Sequence, residues 1–464
     1  MLRFFSIPAL LSGEKAVGEL PSEKELYGTF LKLAWPSVIE AVLIGLVGLV
    51  DSLMVATLGD TAIAAVGITQ QPKLVLMCFV FAVNIGITAV VARRKGEDKR
   101  EEANHAMRNG VMLAAGIILI TSAIGFIFAE PFLRFAGAND EYIADSVAYF
   151  RIIMFSIVFQ CLNSSINAAQ KGSGNTRISM TSNLVGNLVN ILFNYLLING
   201  IWIFPRLEVR GAALATALGA LVACCVSTAR LFNRKNYISV FCRAPWKPTK
   251  EIMRPIIKVG SNALIEQLCA RFGFFVFNRI VADLSTIEYA THIACSNFLV
   301  LSFYIGDGFQ IASTSLAGQS LGAKRPDKAV IYCNIGQRVV FFVALIYSAL
   351  VITFRQEIML LFSDTPAVIE RGSHLMLYVA VITYVQTAQV IFTGCLRGAG
   401  DTRFVALTAM FSIGFVRPFT GWLLTWVLGL GLYGAWTAVF LDQLCRLVIN
   451  YSRIRTKKWL RIRL

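Results

Sequence analysis

The chain has 464 residues, of which 56% are hydrophobic and only 15% are charged, and its mean hydropathy is +0.65. This composition is far more apolar than that of a soluble domain and favours an integral membrane protein. The net charge of +16 does not indicate nucleic acid, because the basic residues cluster in short gaps between apolar runs. The ten cysteines show no CxxC spacing, so neither a disulfide framework nor a zinc site is predicted.

Residues 1–29 are predicted to form a cytoplasmic N-terminal tail, because their apolar part is too short for a signal peptide. Twelve apolar segments follow, each long enough for a bilayer core of about 30 Å, which needs about 20 residues. Their approximate ranges are 30–58, 64–92, 106–130, 145–168, 178–200, 211–233, 257–282, 290–320, 331–354, 373–396, 404–428 and 432–452. The predicted domains are an N-lobe (30–235), a cytoplasmic linker (236–256), a C-lobe (257–452) and a basic cytoplasmic tail (453–464).

The distribution of Lys and Arg predicts the orientation of these segments. Gaps after even-numbered segments are rich in basic residues, whereas gaps after odd-numbered segments contain few and carry acids, as in GANDEYIAD at 137–145. Because basic loops stay on the cytoplasmic side, both termini are expected to be cytoplasmic. The predicted location is the inner or plasma membrane, with multiple passes.

The second half of the chain repeats the first. KGSGNTR at 171–177 matches RGAGDTR at 397–403 with an offset of 226 residues, and the same offset places Glu40 on Glu266. Each half contains an even number of segments, so both halves have the same orientation. The predicted fold is therefore an all-α integral membrane protein with twelve transmembrane helices. They would form two six-helix bundles related by a pseudo-two-fold axis along the membrane normal.

Asp51 lies deep in the first apolar segment. A carboxylate at that depth costs about 2.5 kcal/mol or more on insertion scales and usually faces a watery cavity or an ion path. Glu40 lies eleven residues earlier, about three helical turns, and so on nearly the same face. The alternatives are that Asp51 only stabilises helix packing, and that Glu40 is interfacial or paired.

Four asparagines form a stripe along the fifth segment: Asn183, Asn187, Asn190 and Asn194. Their spacings of four, three and four place them on one helical face, which must avoid lipid. One interpretation is hydrogen bonding between helices, worth about 0.6–2 kcal/mol each. The other is a polar cluster that meets Asp51 and supplies oxygens to a cation or proton site, with Thr216 of the sixth segment as a hydroxyl partner.

In the second half, Glu266 and Arg271 are interpreted as an internal ion pair, since isolated charges at that depth would cost more. Asp307 lies as deep as Asp51, although the GDG sequence around it is also compatible with a helix break. Tyr384 and Gln386 are polar groups in the tenth segment. The chain has no HExxH, GxSxG or Walker motif, so an enzyme is disfavoured and transport would draw on an ion gradient.

Four stretches resemble the multidrug and toxic compound extrusion (MATE) family. They are VDSLMVATLGDTAIAAVGI (50–68), NILFNYLLI (190–198), GAALATA (211–217) and CLRGAGDTR (395–403). The resemblance spans essentially the whole chain. It implies two six-helix bundles forming a V-shaped cavity, and export of organic, often cationic, compounds in exchange for sodium ions or protons.

The resemblance also implies roles for individual residues. Asp51 matches the first-helix aspartate that binds the coupling ion in many members, and Asn190 and Thr216 match its neutral partners. Asn194 stands where several members have a second aspartate, which puts a two-carboxylate proton scheme in doubt. Glu266 matches a seventh-helix glutamate implicated in cation binding in the NorM-like branch, whereas Gln386 stands where that branch has an aspartate.

These observations predict a secondary active multidrug efflux antiporter without a cofactor, coupled to H⁺ or Na⁺. The predicted ion-coupling residues are Asp51, Asn190, Asn194 and Thr216, and a sodium ion at Asp51 is the only metal expected. The other candidate residues are Glu266, Gln386 and Asp307 for a C-lobe cation or substrate site, and Glu40, Asn187 and Tyr384 for the substrate cavity. The expected partners are small organic substrates, the coupling cation and the lipid bilayer, around a monomer that binds no nucleic acid.

Two other functions fit the same composition. A lipid or lipid-linked oligosaccharide flippase of a related transporter fold would need a basic cavity, for which Arg271, Arg279 and Arg417 are candidates. A channel would conduct without exchanging ion for substrate.

Overall fold

The computed structural model describes residues 6–11, 13–201, 203–243 and 245–462, and within these ranges every regular element is a helix. The helices of the first half are α1 (Ile7–Leu11), α2 (Glu23–Ala56), α3 (Asp60–Gly67), α4 (Gln70–Gly96), α5 (Arg100–Ile127), α6 (Ala129–Phe135), α7 (Ile143–Gly172), α8 (Thr176–Asn199) and α9 (Glu208–Leu231). Those of the second half are α10 (Lys250–Ala282), α11 (Thr286–Gly322), α12 (Pro326–Thr353), α13 (Arg355–Leu360), α14 (Pro366–Ala399), α15 (Thr402–Phe411), α16 (Arg417–Trp422) and α17 (Gly431–Arg455). Two π-helical segments, Ser412–Val416 and Leu423–Val427, flank α16, and a 3₁₀ turn, Lys458–Arg461, follows α17.

Ten helical stretches in the described residues are long and apolar enough to cross a membrane. The expectation of a multi-pass membrane protein is thus confirmed. Helices α10 and α11 cover the predicted segments 257–282 and 290–320 and are 33 and 37 residues long, but they are not among these ten. The count of twelve spanning helices therefore stays a prediction.

The helix break considered at Asp307 is wrong, because α11 runs without interruption from Thr286 to Gly322. A close approach explains the glycines of this sequence better than a break does. A Cβ atom on Gly308 would lie only 2.5 Å from the Cα atom of Val38. Glycine at this position therefore lets the backbone of α2 approach α11.

The described chain forms two compact units. The N unit is Ile39–Leu264, and the C unit is Met1–Val38 together with Ile265–Leu464. Each boundary lies inside a long helix, α2 or α10, and 264 exceeds 38 by 226. The units therefore divide at points that correspond under the sequence repeat. The lobe boundaries predicted from the 236–256 linker stay a prediction.

The repeat is visible in individual hydrogen bonds within each unit. In the N unit, the Thr88 hydroxyl donates to the carbonyl oxygen of Ala168 over 3.1 Å. In the C unit, Thr314 donates to the carbonyl oxygen of Gly394 over 3.0 Å, and both residue numbers are higher by 226. Ser122 with Met154 and Ser348 with Ala380 form a second pair of bonds related by the same offset. Duplicated sequence has therefore kept duplicated packing.

The repeated motifs at 171–177 and 397–403 form equivalent turns between long helices. Gly174 has φ of 81° and Gly400 has φ of 87°. These values lie in the left-handed region, which glycine adopts at little steric cost. The turns end α7 and α14 and begin α8 and α15, so they set where the polar residues of α8 start.

Part of the predicted N-terminal tail is ordered against the C unit. The side chains of Asn334 and Arg338 on α12 donate to the carbonyl oxygens of Leu10 and Ala9, over 2.6 and 3.0 Å. Leu10 is fully buried. Because the last carbonyl groups of a helix lack partners within it, these two side chains satisfy the end of α1.

Candidate functional site

Asp51 lies on α2 in the N unit and is half-buried. Its Oδ1 atom accepts a hydrogen bond of 2.6 Å from the amide of Asn194 on α8. A charge-assisted bond of this kind is roughly twice as strong as a neutral one. The structure thus brings together two of the four predicted ion-coupling residues and fixes the carboxylate in one orientation.

The other two predicted residues meet one turn away along α8. The Asn190 amide donates to the Thr216 hydroxyl over 3.3 Å, and Thr216 donates to the carbonyl oxygen of Ala212 over 3.0 Å. Asn190 is buried, with 6% of its surface exposed. This leaves the carbonyl oxygen of Asn190 and the hydroxyl oxygen of Thr216 as neutral oxygen donors of the kind that hard cations prefer.

Lys73 is a charged neighbour of this site that the sequence analysis missed. It lies in the first turn of α4 and interacts electrostatically with Asp51. A lysine directly after Pro72 at the edge of an apolar segment was the available signal. The Asp51 site therefore contains a positive charge as well as a negative one.

Glu40 belongs to a second buried network in the N unit. Only 4% of its surface is exposed, and its Oε1 atom accepts three hydrogen bonds. The donors are Lys171 at 2.9 Å, Ser179 at 2.8 Å and Asn183 at 2.7 Å. Of the two readings of Glu40, the geometry favours the paired one, because a buried carboxylate requires such compensation.

Glu266 makes the equivalent contact in the C unit. Its Oε1 atom lies 2.6 Å from the Nη2 atom of Arg397. The numbers 266 and 397 exceed 40 and 171 by 226, so both units contain the same ion pair. The interpretation of Glu266 and Arg271 as an ion pair is wrong, because Arg397 on α14 supplies the positive charge.

The remaining C-unit candidates do not form one cluster in the described structure. The Gln386 amide is buried and donates to the carbonyl oxygen of Leu299 over 3.4 Å. Asp307 is half-buried on α11. Tyr384 lines a groove of about 470 Å³ between α12 and α14, where its ring stacks on Phe341 with centroids 6.0 Å apart.

A charged cluster in the C unit was also missed by the sequence analysis. Asp442 on α17 is fully buried, and its Oδ2 atom accepts two bonds from Arg417, of 2.9 and 2.6 Å, and one of 3.1 Å from Arg446. Ser412 also donates to this carboxylate. Ser412 opens a π-helical segment and Arg417 follows it. The spacing of Asp442 and Arg446, four residues apart in an apolar run, was the available signal.

Comparison with known proteins gives full-length matches. Residues 36–196 and residues 263–423 each match the sequence model of the MatE family. An uncharacterized transporter, YisQ, of Bacillus subtilis is 25% identical over 441 residues, covering 95% of this chain and 96% of that protein. The probable multidrug resistance protein NorM of Thermotoga maritima is also 25% identical, over 95% of both chains. The multidrug resistance protein MdtK of Yersinia pestis is 25% identical over 92% of this chain and 94% of its own.

Solved structures of transporters share the fold. A MOP superfamily transporter from Pyrococcus furiosus superposes with a TM-score of 0.87, covering 98% of both chains at 19% identity. A multidrug resistance MATE family transporter in an outward-facing conformation gives the same TM-score, coverage and identity.

Proposed function

The chain belongs to the MatE family of membrane transporters, and from that premise we propose that it is a secondary active antiporter. It exports organic, often cationic, compounds in exchange for protons or sodium ions. The observation that carries this proposal is the half-buried carboxylate of Asp51, held by Asn194 inside a candidate membrane span. Relatives named as multidrug resistance proteins support the class of substrate.

The chemistry of the Asp51 site suits reversible binding of a monovalent cation. Asp51 is the charged ligand, and Asn190, Asn194 and Thr216 supply neutral oxygens. An incoming ion neutralises the carboxylate and lowers the cost of burying it. A ligand that favours one conformation in this way shifts the population of the transporter toward that conformation.

Lys73 gives the site a means of releasing its ion. When the ion leaves, the ammonium group compensates the carboxylate, and when the ion binds, the two cations compete for the same negative charge. Competition keeps the affinity moderate, which exchange requires, because an ion bound too tightly would not be released.

The C unit has a weaker claim to the coupling ion. Glu266 is engaged by Arg397, and Gln386 is an amide that carries no charge. A C-lobe site built from Glu266, Gln386 and Asp307 is therefore a secondary proposal. The flippase alternative is also weaker, because Arg279 pairs with Asp283 at 3.1 Å and Arg417 pairs with Asp442, which reduces the positive charge available to a diphosphate.

The membrane setting completes the proposal. We place both termini on the cytoplasmic side of the inner or plasma membrane, with lobes at 30–235 and 257–452, and we expect a monomer. Glu40, Asn187 and Tyr384 remain proposed contributors to substrate binding.

The decisive experiment is Asp51→Asn in proteoliposomes loaded with ethidium, under an imposed sodium gradient and, separately, an imposed pH gradient. Wild-type protein should exchange ethidium on one of these gradients, because ion binding drives the conformational change. Asp51→Asn should abolish gradient-driven exchange, because an amide cannot bind a proton or supply a charged ligand. Asp283→Asn, which changes an exposed carboxylate paired with Arg279, is the matched control. Full exchange by Asp51→Asn at normal reconstitution would refute the assignment.

A further inference from the structure

Helices α2 and α8 run in register along the N unit. Glu40 receives the Asn183 amide over 2.7 Å, and Asp51 receives the Asn194 amide over 2.6 Å. Both bonds join residues 143 apart in sequence, so eleven positions on one helix match eleven on the other. At 1.5 Å per residue, the two carboxylates mark the ends of a stretch of about 16 Å.

A row of four amides bridges this stretch, and we call it the amide row: Asn183, Asn187, Asn190 and Asn194. Consecutive members are three or four residues apart, which places neighbouring side chains about 5–6 Å apart between their Cβ atoms. Asn163 and Asn167 on α7 extend the polar surface beside it, since Asn163 donates to Asn183 over 2.8 Å. The row therefore gives a continuous polar face from Glu40 to Asp51.

Several atoms along this face have no hydrogen-bond partner among the described residues. They are Oε2 of Glu40, Nδ2 of Asn187 and Oδ1 of Asn194, and each of these atoms is buried. A buried polar group without a partner costs free energy, so such groups are normally satisfied by ordered water or by an ion. Their position between the two carboxylates is where water or a cation would complete them.

The C unit provides an internal comparison. It keeps the ion pair, as Glu266 with Arg397, so this pair is part of the repeated architecture. It does not keep the amide row: the four positions 226 residues later are Ala409, Ile413, Val416 and Thr420. Phe277 takes the place of Asp51. Because the same helix is stable without the row, packing alone does not require it.

We propose that the amide row is a hydrated path for the coupling cation between Asp51 and Glu40, and that Glu40 is a second station on this path. The inference rests on the proposed function and assigns it a route within the N unit. Lys171 holds Oε1 of Glu40 and leaves Oε2 for the moving ion. Because the ammonium repels a cation, Glu40 passes the ion on rather than storing it, whereas Asp51 binds it.

The test replaces Asn187, the middle of the row, by leucine. The full-length variant is reconstituted in proteoliposomes, and ethidium exchange is measured under a sodium gradient and under a pH gradient. An apolar side chain in the path should slow exchange on the coupled gradient by about tenfold or more, because the ion loses a polar partner in a low-dielectric setting. Ethidium affinity in detergent should change by no more than about twofold, since each 1.4 kcal/mol is tenfold.

Three further variants make the result specific. Asn187→Ser keeps a polar group and should retain most of the exchange rate. Ile413→Leu, at the matched position of the C unit, should exchange like wild type. Glu40→Gln should slow exchange as Asn187→Leu does, and it replaces that variant if leucine prevents folding.

The outcomes separate the path from the function on which it rests. Exchange by Asn187→Leu and Glu40→Gln at wild-type rates, with Asp51→Asn inactive, would overturn the path and leave the antiporter. Wild-type protein that responds to neither gradient would overturn both. The gradient whose effect is lost in Asn187→Leu identifies the ion as sodium or as the proton.

Discussion

At the scale of single residues, the buried carboxylates decide the arrangement of polar groups. Glu40, Asp51 and Asp442 each lie in a candidate span, and each is held by side chains from a different helix. A charge inside a membrane is tolerated only with such partners. The partners differ in a way that matters for function, because Asp442 is surrounded by two arginines whereas Asp51 keeps mostly neutral neighbours.

The Arg417 and Asp442 pair should be important for stability. Arg417→Met leaves a fully buried carboxylate with Arg446 as its remaining cation, and breaking a buried pair costs about 3–5 kcal/mol of unfolding free energy. We expect a clearly lower Tm in detergent. The double variant Arg417→Met/Asp442→Leu should recover part of the loss. Arg279→Met, at an exposed ion pair, is the control and should change stability by less than about 0.5 kcal/mol. An unchanged Tm for Arg417→Met would contradict this assignment.

At the scale of helices, the same pair of elements packs differently in the two units. In the N unit, α8 and α9 meet through glycine, and a Cβ atom on Gly186 would lie 2.7 Å from the Cβ atom of Ala223. The corresponding residue 226 positions later is Ser412, which binds Asp442 and opens a π-helical segment. Close glycine packing thus keeps α8 regular, so the amide row stays on one face.

Gly186 should therefore tolerate no side chain. Gly186→Ala forces α8 and α9 apart, and overpacking of this kind costs about 1–3 kcal/mol. The expected result is a lower Tm together with weaker ion-coupled exchange, since the Asn190–Thr216 contact joins the same two helices. Gly116→Ala on α5 is the matched control, because no heavy atom lies within 4 Å of the added Cβ. Equal Tm values for the two variants would refute the packing argument.

At the scale of the whole molecule, duplication organises the chain. The unit boundaries, the paired hydrogen bonds and the two carboxylate ion pairs all follow one offset of 226 residues. The two matches to the MatE family model also fall one in each half. Charge then distinguishes the halves, because the N unit has the amide row with Asp51 and the C unit has the Asp442 cluster.

The orientation of the molecule follows from the basic loops. We expect a fluorescent protein fused after the C-terminal residue to fold in the cytoplasm and to fluoresce, because the tail is rich in Lys and Arg. Alkaline phosphatase fused after Asn139, in an acidic gap, should be active outside the cytoplasm. Activity of the phosphatase at the C-terminus, with no fluorescence there, would reverse the proposed topology.

Much of the candidate site could be predicted from helical periodicity. The spacing of Asn183, Asn187, Asn190 and Asn194 indicates a single face, and the depth of Asp51 indicates that it faces a polar environment. Periodicity cannot say which partner each amide takes. Asn183 donates to Glu40, whereas Asn194 donates to Asp51, and this depends on the register of two helices far apart in sequence.

By itself, the sequence determined the membrane setting, the duplication and the family, because hydropathy, loop charge and repeated motifs are local properties of the chain. Only the tertiary structure decided the charge pairing. It gave Glu266 to Arg397 rather than Arg271, placed Lys73 beside Asp51 and enclosed Asp442 between two arginines. The physical reason is that a charge buried among apolar helices takes the opposite charge that packing brings nearest, and helix packing is a long-range property.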